Sequence, residues 1–169
     1  MKTTRHYAIN VLLANLSTLA LGNLDEATLE IALTDIEALR KVADDFEALK
    51  KELFKRIYGD VEKMSEDEKK ILQDFFDMLG KVKDETDAIK SAYPSLYAMR
   101  EKEIKVIVSL LNKEIEVDIE PMDRKTFTKG ILLGNKDAKA IDIERVFAPM
   151  FGTEESEAKA DFSELDNLI

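Results

Sequence analysis

The sequence predicts a mainly α-helical protein: an antiparallel hairpin of two long helices, with an N-terminal helix before it and a small α+β C-terminal cap after it. Three observations predict this. Apolar residues recur at helical spacing over two long stretches, Ala27–Tyr58 and Ile71–Ala92. Turn chemistry is scarce, with 6 Gly and 3 Pro in 169 residues. Charged residues reach 36% of the chain, above the roughly 25% of ordinary globular domains, which suits long solvated helices. The expected organisation is a helical hairpin region over 1–113, a small α+β cap of the same domain over 114–151, and an acidic flexible tail over 152–169.

Ile9, Leu12, Leu13, Leu16, Leu19 and Ala20 predict a first helix over about Thr4–Leu21, with Gly22 as its stop. Lys2 and Arg5 ahead of this apolar run imitate a signal peptide, but Asn10, Asn15, Ser17 and Thr18 interrupt it. Asp25 is placed to cap the next helix, with Glu26 in its first turn. Along that helix Leu29, Ala32, Ile36, Leu39, Ala43, Phe46, Lys50, Leu53 and Ile57 follow three-four spacing, a coiled-coil-like seam broken only by Lys50. Leu33, Val42, Leu49 and Phe54 widen it. The helix should end at Gly59.

Ser65 and Glu68 then form a capping box for the second arm. Its seam reads Ile71, Phe75, Met78, Val82, Glu85, Ile89 and Ala92, widened by Leu72, Phe76 and Leu79, and Pro94 kinks or breaks it. In a symmetric hairpin Ile57 sits near Ile71, so Lys50 and Glu85 do not face each other, and each should reach to the edge of the seam. Leu96, Met99, Ile104, Ile107, Val108 and Leu111 carry a further helix to about Asn112.

The period changes at Glu114-Ile115-Glu116-Val117-Asp118-Ile119-Glu120, where acids alternate with β-branched residues as in a half-buried strand. Asp123 can cap a short helix with Phe127, Ile131 and Leu132, closed by Gly134. A second strand is expected through Ala138–Ile143, and a last helix from Asp142 or Ile143 with Val146, Phe147, Met150 and Phe151. The final stretch holds Glu154, Glu155, Glu157, Asp161, Glu164 and Asp166 against Lys159 alone. Such a segment cannot bury enough surface to order itself in isolation.

The formal net charge of −10 disfavours direct nucleic-acid binding and anionic membranes, both of which call for a basic face. With 0 Cys, disulfides, thiolate catalysis and zinc–thiolate sites are excluded. No apolar run approaches membrane-spanning length, so a cytoplasmic location is expected. His6 is the single imidazole, the glycines are scattered, and no catalytic residue or cofactor site emerges.

Three candidate surfaces remain. Glu114, Glu116, Asp118 and Glu120 project from one strand face about 7 Å apart, an oxygen-rich array suited to Mg²⁺ or Ca²⁺ if other ligands converge; otherwise they form a solvated face that discourages aggregation. Lys50, Lys51, Lys55 and Arg56 form a basic cluster, largely matched by Glu47 to Lys51 and Glu52 to Arg56 at helical spacing. In the tail, Phe162, Leu165, Leu168 and Ile169 form one face of a short helix, able to fold into a partner's groove or back onto the chain's own body.

The stretch Leu110-Leu111-Asn112-Lys113-Glu114-Ile115-Glu116-Val117-Asp118-Ile119, with the apolar segment Ile143–Phe151 after it, resembles a loosely defined group of small, uncharacterised bacteriophage and prophage proteins. These are similar in opening with a short helix, continuing with two long charged helices and an E-V-D-I-type segment, and ending in a short apolar helix. The likeness spans about Met1–Phe151, and the acidic tail departs from it. It implies a phage or prophage origin and assigns no activity or functional residue.

The function these features predict is that of a non-enzymatic interaction or assembly accessory protein with a protein partner, and a homodimer is an option if Leu33, Phe54 or Phe76 stays exposed. The alternatives are an acidic decoy or inhibitor of a basic nucleic-acid-binding protein, and a divalent-metal-dependent enzyme using the acidic strand.

Overall fold

The computed structural model describes residues 1–81 and 86–152, a mainly helical chain with one two-stranded sheet. Two compact units form. The first draws on Met1–Lys2, Asn10–Leu39 and the described part of Glu116–Ile169, the second on Thr3–Ile9 and Arg40–Ile115. Glu85 and the tail residues Phe162, Leu165, Leu168 and Ile169 lie outside the described residues.

The expected helix over Thr4–Leu21 is present but begins and ends inside those bounds. Lys2–Thr4 is a strand, β1, followed by a π-helical segment Tyr7–Leu13 and a short helix α1, Ala14–Thr18. β-branched Thr3 and Thr4 suit a strand, and the Thr4 hydroxyl accepts the Tyr7 N–H at 3.2 Å where the chain turns helical. The partner of β1 is β2, Glu114–Glu116, in antiparallel order: Met1 exchanges backbone bonds with Val117, and the Arg5 N–H donates to Lys113. Regular pairing ends at Glu116 because β1 is only three residues long, so the expected strand to Glu120 is cut short.

The long helix α2 is Glu26–Tyr58. Asp25 caps it as expected: its carboxylate accepts the Thr28 N–H and hydroxyl, each at 2.9 Å. Those two bonds hold the Asp25 carboxyl below its ordinary range. At the other end Gly59, at φ 100°, donates its N–H to the Lys55 carbonyl. Gly59→Ala should destabilise the protein by about 1 kcal/mol in chemical denaturation, since a Cβ strains this left-handed backbone.

In the first unit, Leu12, Leu16, Leu24, Met122, Phe127, Ile131, Ile143, Phe147 and Met150 are buried beside the first half of α2. The innermost stripe of that half is Thr28, Ala32, Asp35 and Leu39. The expected seam residues Ala32, Ile36 and Leu39 are buried here, the covered face also takes in Thr28 and Asp35, Leu29 is only partly covered, and Leu33, expected to widen the face, is 50% exposed. Helix α6, Arg124–Gly134, is capped by Asp123, whose carboxylate accepts the Thr126 N–H at 2.8 Å and is held below its ordinary range by that bond. Gly130 lets α6 approach closely, because a Cβ there would lie 2.6 Å from Leu24 Cδ2.

The expected strand over Ala138–Ile143 is instead the start of a helix, α7 (Ala140–Phe147), followed by a 3₁₀ turn Ala148–Met150. The Lys139 carbonyl takes the N–H groups of both Asp142 and Ile143, starting the first turn. Ile143 and Phe147, four apart, go inward while Ile141 is 73% exposed, a helical burial pattern that alternation would not give.

In the second unit, α3 (Glu66–Lys81) starts at the expected capping box: Glu68 N–H donates to Ser65 Oγ, and Ser65 N–H to the Glu68 carboxylate. Two more helices follow, α4 (Thr86–Ala92) and α5 (Pro94–Asn112), with Pro94 opening α5 and Tyr93 breaking the path. The arms meet through rings, Phe54 to Phe76 at 5.8 Å and Tyr58 to Phe76 at 5.5 Å between centroids. α3 turns Leu72 and Phe75 inward and leaves Ile71 52% exposed, so Ile71 is not the seam residue expected.

Candidate functional site

The second unit holds a buried carboxylate, and α5 carries it. This helix is apolar on several sides, yet its one buried residue is Glu103, 4% exposed. The Glu103 carboxylate pairs with Arg100 one turn earlier and accepts the Tyr58 hydroxyl of α2 at 3.4 Å. Burial, then the adjacent Glu103 charge, pushes the Tyr58 phenol up to about 12. Tyr58 therefore remains a proton donor near neutral pH, and the cluster works as a clamp joining the end of α2 to α5.

Two open cavities adjoin this clamp, each of about 460 Å³. One is mainly apolar, with Tyr58, Met64, Ile71, Leu72 and Leu96 in its wall and Asp60, Lys63 and Glu68 also lining it. The other brings Lys50, Lys51 and Arg100 together with Phe54, Ile107 and two glutamates, Glu47 and Glu103. Lys50 reaches the edge of the seam as expected, pairing with Glu47 at 2.5 Å and lying 5.1 Å from the Phe46 ring centroid. Glu47 thus turns to Lys50 rather than Lys51, while Glu52 pairs with Arg56 at 2.9 Å as expected and Lys55 reaches Asp60.

Beside the clamp, α5 leaves large apolar side chains in solvent. Met99 is 37% exposed, Ile104 44% and Val108 48%. Isolated apolar residues on a surface are ordinary, but Ile104 and Val108 are one turn apart on one flank of one helix.

The acidic segment behaves as its alternation predicts in burial, though not in length as a strand. Glu114, Glu116, Asp118 and Glu120 are exposed, Val117 is buried, and Ile115 and Ile119 are half-buried. Among the described residues no three acids or histidines converge as a metal-holding group. His6 is exposed.

One residue that sequence reasoning passed over stands out in the first unit. Asp35, with no exposed surface, accepts the Glu120 N–H through Oδ1 at 2.8 Å, while Oδ2 has no hydrogen-bond partner. Burial, with the Glu120 charge as a smaller cause, pushes its carboxyl up to about 6 even though the Glu120 N–H opposes the rise. It titrates near neutrality but is sealed from any substrate, so it acts on the fold. Its signal was the spacing Thr28, Ala32, Asp35, Leu39, a four-three-four stripe that places a carboxylate in the core.

No family model, no curated protein and no solved structure matches the chain. No helix among the described residues is long and apolar enough to cross a membrane.

Proposed function

We propose that the protein acts without catalysis, as an interaction or assembly accessory factor that docks a protein partner on α5, in a locus of phage or prophage origin. The observation that supports docking is the exposed flank of α5, where Ile104 and Val108 remain in solvent beside a helix anchored by the buried Glu103. Leaving such side chains half-exposed forgoes about 1 kcal/mol each, which a partner recovers by covering them. The phage setting rests on the resemblance around Leu110–Ile119.

Exchanging both side chains for acids, Ile104→Glu with Val108→Glu, places charges where a partner's apolar surface would close. The expected result is loss of the proteins captured specifically by the wild-type chain from its native host, with the thermal midpoint within a few degrees of wild type. Equal capture by the doubly substituted protein would defeat this reading.

A further inference from the structure

We propose that α5 pairs with α5 of a second copy of this chain, antiparallel about a two-fold axis. The proposal rests on the reading of α5 as a docking face and names its occupant. Tyr97, Glu101, Ile104, Val108 and Leu111 succeed one another at four-three-four-three spacing, the recurrence of a two-helix seam. Ile104 and Val108 are exposed, and Tyr97 and Leu111 are half-buried.

The charges beside this seam choose both occupant and direction. Glu101 and Lys105 are exposed and, among the described residues, neither forms an ion pair. They lie on opposite sides of Glu103, which falls near the middle of the stripe. In an antiparallel pair, setting Tyr97 against Val108 of the second copy brings Glu101 against Ile104 and within reach of Lys105. Symmetry makes each contact twice, as an isologous interface requires. A parallel pair in register would instead set Glu101 beside Glu101 within the seam, placing like charges together. The seam is self-complementary in one orientation only.

Sedimentation velocity on the full chain tests this. A dimer is expected to form as concentration rises into the high micromolar range. Glu101→Lys and Lys105→Glu should each weaken it by about tenfold, since each converts two attractive contacts into repulsive ones. The combined Glu101→Lys, Lys105→Glu protein should regain wild-type association, which a merely structural effect of either change would not produce. Circular dichroism confirms that the substituted chains remain helical. A wild-type monomer at high micromolar concentration overturns the proposal, as does a dimer indifferent to the single reversals or not restored by the double one. If the wild type is monomeric while Ile104→Glu with Val108→Glu still abolishes capture, the docking face stands with another occupant; if capture is also unchanged, both readings fall.

Discussion

Asp35→Asn should stabilise the protein above about pH 6 and abolish the pH dependence that Asp35 imposes. The wild-type carboxyl has its pKa raised to about 6 in the folded state, against about 3.9 for an unfolded aspartate. A group that binds its proton more tightly when folded contributes stability fully below the unfolded value. That contribution fades as pH rises through the interval and is lost above the folded value. Two units correspond to about 3 kcal/mol lost between about pH 4 and pH 6. Asparagine retains the Oδ1 acceptor for the Glu120 N–H and carries no charge. Its amide nitrogen replaces an oxygen that lacks a partner and needs an acceptor of its own, which offsets about 1–2 kcal/mol. A net gain of about 1–2 kcal/mol is therefore expected near pH 7.5, with little change at pH 4. Urea denaturation at both values checks it, and equal or lower stability of the variant at pH 7.5 would contradict it.

Phe127→Ala should cost more. Phe127 has no exposed surface and stacks edge-to-face on Phe147 at 5.2 Å and on Phe151 at 5.9 Å. It lies in α6 one residue from Thr128 and four from Ile131, which are also buried, so its removal opens a cavity that the close approach of Gly130 to Leu24 leaves little freedom to fill. The expected loss is about 3–5 kcal/mol in the same denaturation experiment, and Phe127→Leu should recover a large part of it. A loss under about 1 kcal/mol would mean that this ring cluster is not the core of the first unit.

Local chemistry was the most legible part of this sequence. Asp25, Ser65 with Glu68, and Asp123 each cap the helix they were read to cap, because an oxygen one turn before a free backbone N–H needs no distant residue to explain it. Gly59 ends α2 for the same local reason. Features that depend on remote partners were harder to read. β1 exists because Lys2–Thr4 meets Glu114–Glu116, more than a hundred residues along the chain, and nothing in three residues announces that pairing. Ala138–Ile143 is too short a window to separate a strand from a helix, and the inward pull on Ile143 and Phe147 decides for the helix.

The candidate site divides along the same line. The apolar residues of α5 were visible as helical periodicity, yet periodicity alone did not reveal which of them the second unit leaves in solvent. Tyr58 and Glu103 are forty-five residues apart, and only folding brings the phenol to the carboxylate. Glu103 also sits where an apolar residue would be expected, and Arg100 is what makes its burial tolerable. For the acidic segment, period two correctly separated exposed acids from covered Val117, while the extent of pairing depended on the length of β1.

The docking role of α5 is tested most directly by placing a photo-activated cross-linking amino acid at Val108 and, as a control, at Glu37, an exposed position on α2. Irradiation in the native host should yield discrete adducts from Val108, including one at twice the chain mass if the helix pairs with itself, and little from Glu37. Absence of adducts at Val108, or equal yields from both positions, would contradict the account.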